Sequence, residues 1–278
     1  MTRVSVITGG AGGMGLATAK VVGRDHTVVL CDVRQDRLAA AGTALQDLGI
    51  AATVVDCDVT DRRAVAGLLG TASNLGTVVS VIHTAGVSPS MGAADYIIRT
   101  NAVGTVNVNE EFFAVAGEGA VIVNVASMAA HMLPAEIVPT EQFPRALEDT
   151  DAFMAAMLAA CDIAPDEARS GLAYAVSKSF VKWYSQSQAE RFNARGLRIV
   201  SVSPGSIDTE MGRLEEQAGA GAMVANAAVP RWGKPEEMAE LLAFCASERA
   251  GYLTGTDILN DGGVIASMTE RARVAAGS

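Results

Sequence analysis

Tyr174 and Lys178 stand four positions apart, a spacing that brings a phenol and an ammonium onto one face of a helix. A positive charge beside a phenol favours phenolate and draws its pKa down from about 10 toward neutrality. A tyrosine tuned in this way can exchange a proton with an alcohol or carbonyl oxygen. Of the four tyrosines, at 96, 174, 184 and 252, only Tyr174 has a lysine at this offset. The residues alone also allow a partly buried tyrosine beside a solvated lysine.

A second group lies near the N-terminus, where Thr8-Gly9-Gly10-Ala11-Gly12-Gly13-Met14-Gly15 ends the first apolar run. Gly9, Gly13 and Gly15 let the backbone approach a pyrophosphate, and the amides of the helix start, Met14 among them, point at its charge. The turn falls between a strand and a helix, the context that gives such a cluster meaning. Asp32 follows at the end of the second strand. Its carboxylate can accept from adenosine ribose hydroxyls and would repel a 2′-phosphate, which predicts NAD(H) over NADP(H). Arg34 argues the other way, and a turn or cap role for Asp32 remains open. A nicotinamide cofactor and a proton-transfer group on one chain mean hydride transfer to or from a carbonyl or alcohol carbon.

The elements that must hold these groups can be read from the apolar pattern. Strands are predicted at Val4–Thr8, Thr27–Asp32, Ala52–Asp56, Val78–His83, Ala120–Ala126, Arg198–Ser203 and Asp257–Asn260, most of them continuously apolar. Helical patterns lie near 13–23, 35–48, 61–74, 95–117, 172–194 and 235–247. This alternation predicts an α/β fold: one Rossmann-type, doubly wound parallel sheet of about seven strands with helices on both faces. With 278 residues, half of them hydrophobic, the chain is long enough to fold as a single domain over 1–278. Two stretches break the rhythm. The segment 128–171 has no strand and holds four of the eight prolines. It also carries an apolar helix at Ala152–Cys161, with Phe153, Met157 and Cys161 on one face. That helix must be buried on this subunit, on a partner, or over the site. The segment 206–228, irregular and rich in Gly and Ala beyond Met211, is predicted to be a mobile substrate loop.

Composition excludes several classes. The net charge is -10 and no basic cluster exists, which excludes nucleic acid as a partner. No segment reaches the ~18 unbroken apolar residues of a membrane span, and the N-terminus runs straight into a strand, so a cytoplasmic protein is expected. Cys31, Cys57, Cys161 and Cys245 form no CxxC pair and are expected to be buried free thiols. No metal is expected, because His83 has no His or Cys cluster around it.

Thr8-Gly9-x-x-x-Gly13-x-Gly15, Asp58-Val59, Ala85-Gly86, Asn101, Asn124-Val125-Ala126-Ser127, Tyr174-x-x-x-Lys178 and Pro204-Gly205-x-Ile207-x-Thr209 occur in that order. On these motifs the chain resembles the short-chain dehydrogenase/reductase family over nearly its whole length apart from 128–171, possession of an insertion there being shared with bacterial hydroxysteroid dehydrogenase/carbonyl reductases. The resemblance implies a strand order 3-2-1-4-5-6-7. It implies that Tyr174 is the acid/base, that Ser127 bonds the substrate oxygen, and that Lys178 holds the nicotinamide ribose. Asn101 would hold a relay water. Asp58 and Val59 would contact adenine, Ala85 and Gly86 would border the cofactor, and Pro204, Ile207 and Thr209 would meet its carboxamide and pyrophosphate. It also implies a homo-oligomer, dimer or tetramer.

Two departures from the family stand out. His83-Thr84 replaces the usual pair of asparagines before Ala85-Gly86, which alters the bracing of the central strands. Ser127 and Tyr174 are 47 positions apart, far more than in the family, so the insertion is expected to remodel the subunit interface. His131 is expected at the surface, with the site rim as the alternative. Methionines 91, 128, 132, 211 and 223 lie in segments that could line an apolar pocket. The expected reaction interconverts a secondary alcohol and a ketone on an apolar substrate, steroid-like ones included. A silent NAD(H)-sensing protein on the same fold is the alternative from another class.

Overall fold

The computed structural model describes residues 2–277. The chain opens with β1 (Arg3–Thr8), α1 (Gly13–Val22), β2 (Thr27–Asp32), α2 (Gln35–Gln46), β3 (Ala52–Asp56), α3 (Arg62–Leu75) and β4 (Thr77–His83). Next come α4 (Ala94–Ile98), a π-helical stretch (Arg99–Val103), α5 (Gly104–Val115) and β5 (Val121–Val125). Two 3-10 stretches (Met128–His131 and Thr140–Leu147) lead to α6 (Thr150–Cys161), α7 (Asp166–Ser187), α8 (Ala189–Asn193) and β6 (Arg198–Pro204). The remainder is α9 (Glu210–Leu214), a second π-helical stretch (Glu216–Ala220), α10 (Gly221–Ala225), α11 (Pro235–Ala246), β7 (Asp257–Asn260) and α12 (Val264–Gly277).

All seven strands run parallel in the order β3-β2-β1-β4-β5-β6-β7. The central strands are covered on both faces, with β5 and β6 buried along their full length, while the edge strands β3 and β7 are only partly covered. One face of the sheet, with Ile7, Leu30, Ile82 and Val123, packs against Ala19, Leu38, Leu45 and Leu242 of α1, α2 and α11. The other, with Val4, Val29, Val81 and Ile122, packs against Leu68, Phe112, Val176 and Phe180 of α3, α5 and α7. The connections turn in opposite directions from β1 and β4. This opens a crevice at the carboxyl ends of the central strands, where ligands of such sheets bind.

The insertion packs on its own subunit. Phe153, Met157 and Cys161 of α6 are fully buried, and the Phe153 ring lies 4.9 Å from that of Phe180 on α7. Phe143, from the preceding 3-10 stretch, meets Phe180 edge-on at 5.3 Å. The aromatic cluster therefore fastens the insertion to the middle of α7.

Several boundaries differ from expectation. The helix that carries Tyr174 begins at Asp166, so its first turns belong to the insertion. The expected 95–117 helix is interrupted by the π-helical stretch around Asn101. The 206–228 segment is largely helical rather than irregular, and the tail past Ser267 continues α12 to Gly277. Ser278 and Met1 lie outside the described residues. All four cysteines are buried and free. Among the described residues no helix is long and apolar enough to cross a membrane, and no group of His, Cys, Asp or Glu could hold a metal ion.

Candidate active site

α1 starts at Gly13 with no side chain capping its first amides, because Gly12 precedes it. The amides of its first turn are thus available to an anion. The turn before it is tight. Gly9 has φ +62°, and a Cβ there would stand 2.8 Å from the Ala85 backbone. A Cβ on Gly13 would stand 2.7 Å from the Thr209 side chain, and Gly15 sits directly on the Gly9 carbonyl. The glycines, Ala85 and Thr209 therefore surround one cradle that larger residues would fill. Met14, Gly86, Pro204, Ile207 and Thr209 line the adjoining cavity of about 640 Å³. In its wall the Ser206 hydroxyl is buried without a partner. These features fit a dinucleotide.

Asp32 ends β2 beside this cradle. It accepts from Ala11 N at 3.3 Å and Arg34 N at 3.1 Å. The Arg34 guanidinium turns away to Asp36, at 3.3 Å. Farther along the same edge, Asp58 accepts from Thr60 N at 2.8 Å, and the Val59 carbonyl accepts from Asn107.

Ser127, Tyr174 and Lys178 all line the cavity. Ser127 follows β5, and its hydroxyl accepts from Ala129 N at 3.2 Å, capping the first 3-10 stretch of the insertion. Lys178 is buried and donates to the Val125 carbonyl at 2.9 Å. Burial brings its pKa down to about 8. Burial also lifts the Tyr174 phenol above its ordinary value. The hydrogen bond with Ser127 acts in the opposite sense, and the Glu215 carboxylate adds to the rise. The expected lowering by Lys178 is thus not found: the shift is upward, and Lys178 Nζ sits 5.9 Å from the Tyr174 ring centroid.

Asn101 occupies the π-helical stretch, a local widening often found at functional positions. Its side chain is fully committed. It accepts from Val87 N at 2.9 Å, and it donates to Val87 O at 3.0 Å and to Ser177 Oγ at 3.2 Å. Ser177 in turn donates to the Tyr174 carbonyl at 2.8 Å. A Cβ on Gly86 would stand 3.0 Å from Asn101 Oδ1 and 3.3 Å from Lys178 Nζ, so this glycine lets the two elements close together.

His83 replaces the family's asparagine with an equivalent brace. Its ring nitrogens meet Thr8 Oγ1 at 2.7 Å on β1 and Thr105 Oγ1 at 3.1 Å on α5. Burial, reinforced by Lys178, pushes its pKa down to about 3, so the ring is neutral. His131 is partly exposed and is not on the cavity wall. Its Nε2 lies 2.8 Å from Asp257 Oδ2 on β7, which ties the start of the insertion to the sheet edge. Of the five methionines, Met128, Met132, Met211 and Met223 line the cavity, while Met91 instead accepts from Ser88 N through sulfur. Glu215 was not singled out by the sequence. It lines the cavity and accepts from Ser90 N at 3.0 Å. It stands beside Glu216 at the start of a Gly- and Ala-rich stretch, and nothing in that pair of acids sets it apart.

The arrangement can bind a dinucleotide and present a phenol, a hydroxyl and an ammonium to a carbonyl or alcohol. Comparison with known proteins agrees with this chemistry. The short chain dehydrogenase profile matches residues 3–139, and the enoyl-(acyl carrier protein) reductase profile matches 151–265. A short-chain dehydrogenase/reductase of Alternaria brassicicola is 31% identical, with 97% of this chain and 98% of the relative aligned. The chain belongs to the short-chain dehydrogenase/reductase family. Proteins with related sequences include the cis-4-hydroxycyclohexanecarboxylate dehydrogenase of Sinomonas cyclohexanicum, 29% identical over 95% of this chain and 97% of that one. Among solved structures, a short chain dehydrogenase of Burkholderia cenocepacia in complex with NADP superposes with a TM-score of 0.73 at 24% identity, covering 94% of this chain and 96% of that one. As a short-chain dehydrogenase/reductase, the protein is an oxidoreductase that uses a nicotinamide cofactor and a small-molecule substrate.

Proposed function

We propose that this short-chain dehydrogenase/reductase interconverts a secondary alcohol and a ketone on an apolar substrate, steroid-sized molecules included, using NAD(H). The observation that carries this reading is the convergence of Ser127, Tyr174 and Lys178 on one cavity beside the glycine cradle. In oxidation, Tyr174 takes the hydroxyl proton and Ser127 Oγ holds the substrate oxygen. The bound nicotinamide supplies the hydride acceptor and, when oxidised, a positive charge. Lys178 holds the ribose hydroxyls and keeps its own charge close to the phenol. Asn101 sets the distance between α7 and the loop after β4, and a relay water is assigned to it on the family resemblance alone. Gly9, Gly13, Met14 and Gly15 receive the pyrophosphate. Asp58, Val59, Ala85, Gly86, Pro204, Ile207 and Thr209 line the rest of the cofactor's path.

NAD(H) is favoured because the Asp32 carboxylate faces the adenosine end while Arg34 is paired with Asp36. The apolar substrate is favoured by a wall that includes Met128, Met132, Leu133, Ile137 and Leu172. The whole chain acts as one catalytic domain, in a cytoplasmic homo-oligomer of two or four subunits.

The test is NADH oxidation against a panel of ketones that includes steroids, with NADPH in parallel and Tyr174→Phe as control. NADH-linked turnover should fall by roughly 10²–10⁴ in the variant, with NADH affinity retained. Tight NADH binding with no turnover in either direction would replace this reading with a cofactor-sensing protein.

A further inference from the structure

The wall of the cavity is apolar apart from a few groups at the chemistry, with one exception. Among the described residues that line it, Glu215 is the one carboxylate and Lys178 the one cation. Lys178 is anchored to Val125 and lies beside the tyrosine. The remainder of the cavity therefore has no cation to receive an acidic group.

Glu215 is held in place. It follows α9 as its C-cap, and its Oε1 accepts from Ser90 N at 3.0 Å, bridging the 206–228 segment to the loop after β4 across the cavity. Among the described residues it has no ion-pair partner. The nearest arginine in sequence, Arg213, is committed elsewhere, with Asp208 at 2.7 Å, Glu216 at 3.3 Å and its guanidinium stacked 4.4 Å above the Trp232 ring. The Glu215 charge also reaches the reacting centre, since it acts on the Tyr174 phenol. A like charge within a cavity of low polarity is felt over several ångströms.

We propose that Glu215 is a specificity-determining residue: its carboxylate makes the cavity select ring ketones and alcohols whose remote substituent is uncharged, and reject those that carry a carboxylate. The second Glu215 oxygen is available to accept from a remote amide or hydroxyl of such a substrate. An anionic substituent of the same shape meets an unpaired carboxylate instead. This rests on the reading of the cavity as a substrate site for a carbonyl or alcohol.

The discriminating pair is 4-oxocyclohexanecarboxamide and 4-oxocyclohexanecarboxylate, which differ in charge and hardly in shape. Each is titrated by calorimetry into the full-length protein saturated with NADH, and NADH turnover is followed separately. The wild type should bind the amide at least tenfold more tightly than the carboxylate. In Glu215→Gln, which removes the charge but keeps an oxygen for Ser90 N, that ratio should collapse toward one. A ratio that stays the same in the variant overturns the proposal, as does failure of the amide to bind the wild type; a carboxylate that binds only once Glu215 is replaced supports it. Selective binding without turnover leaves the charge filter standing and sinks the dehydrogenase reading. Turnover of both compounds with equal efficiency does the reverse.

Discussion

Lys178 of α7 and Val125 of β5 are joined by a 2.9 Å hydrogen bond, made by an ammonium that is only 6% exposed. Strand and helix thus share a buried charge whose pKa falls to about 8. An unfolded lysine titrates near 10.4. Between these values the unfolded chain binds more protons than the native one, so stability rises with pH across this window. Lys178→Met removes that rise. Urea melts at pH 7.5 and 10 should show the wild type gaining up to about 3 kcal/mol relative to the variant. Parallel behaviour would mean that Lys178 is not desolvated.

His83 acts with the same sign in a more acidic window. Its folded pKa of about 3 lies below the unfolded value of 6.5, so its contribution is present above pH 6.5 and is lost as pH falls toward 3. His83→Asn should keep a polar brace between β1 and α5 without this liability. From pH 7 to 4.5 the wild type should lose on the order of 2 kcal/mol more than the variant, by denaturant titration.

Asp32 controls the cofactor preference in the proposed reading. Asp32→Ala removes the carboxylate that opposes a 2′-phosphate and leaves Arg34 and Arg37 nearby, where they are held only by exposed acids. The ratio of kcat/KM for NADPH to that for NADH should rise at least about tenfold, close to 1.4 kcal/mol. An unchanged ratio would remove Asp32 from the adenosine site.

Phe153 links the insertion to α7 through Phe180. Phe153→Ala opens a fully buried cavity and should destabilise the protein by about 3–5 kcal/mol in denaturant melts. Because the same segment walls the substrate cavity, KM for a bulky ketone should rise while the Kd for NADH stays close to wild type. A loss confined to NADH binding would contradict the packing described here.

The parts that could be read from the sequence are those encoded by short spacing. The glycines from Gly9 to Gly15 fall at a strand–helix junction, and Tyr174 and Lys178 fall one turn apart, so local geometry alone brings each set together. Alternation pointed to a parallel sheet, and the strand order came from the resemblance. What escaped depends on distant pairs. Glu215 meets Ser90 from 125 positions away, and His131 meets Asp257 from 126. Spacing carries no trace of either contact. The direction of the Tyr174 shift is hidden from the sequence for a related reason. Proximity to Lys178 is visible in the sequence, whereas the extent to which both groups leave water is not.

α7 begins at Asp166, eight residues before Tyr174, and on the way contributes Ala168, Gly171 and Leu172 to the cavity wall. Within a helix each added or removed residue turns everything beyond it by about 100°. A change of length between Asp166 and Tyr174 would therefore swing the early wall residues out of phase with the phenol. Upstream of Asp166 the same change is absorbed by loop and 3-10 backbone. The length of the insertion can drift while the aim of the tyrosine stays fixed, which lets pocket size evolve separately from the chemistry.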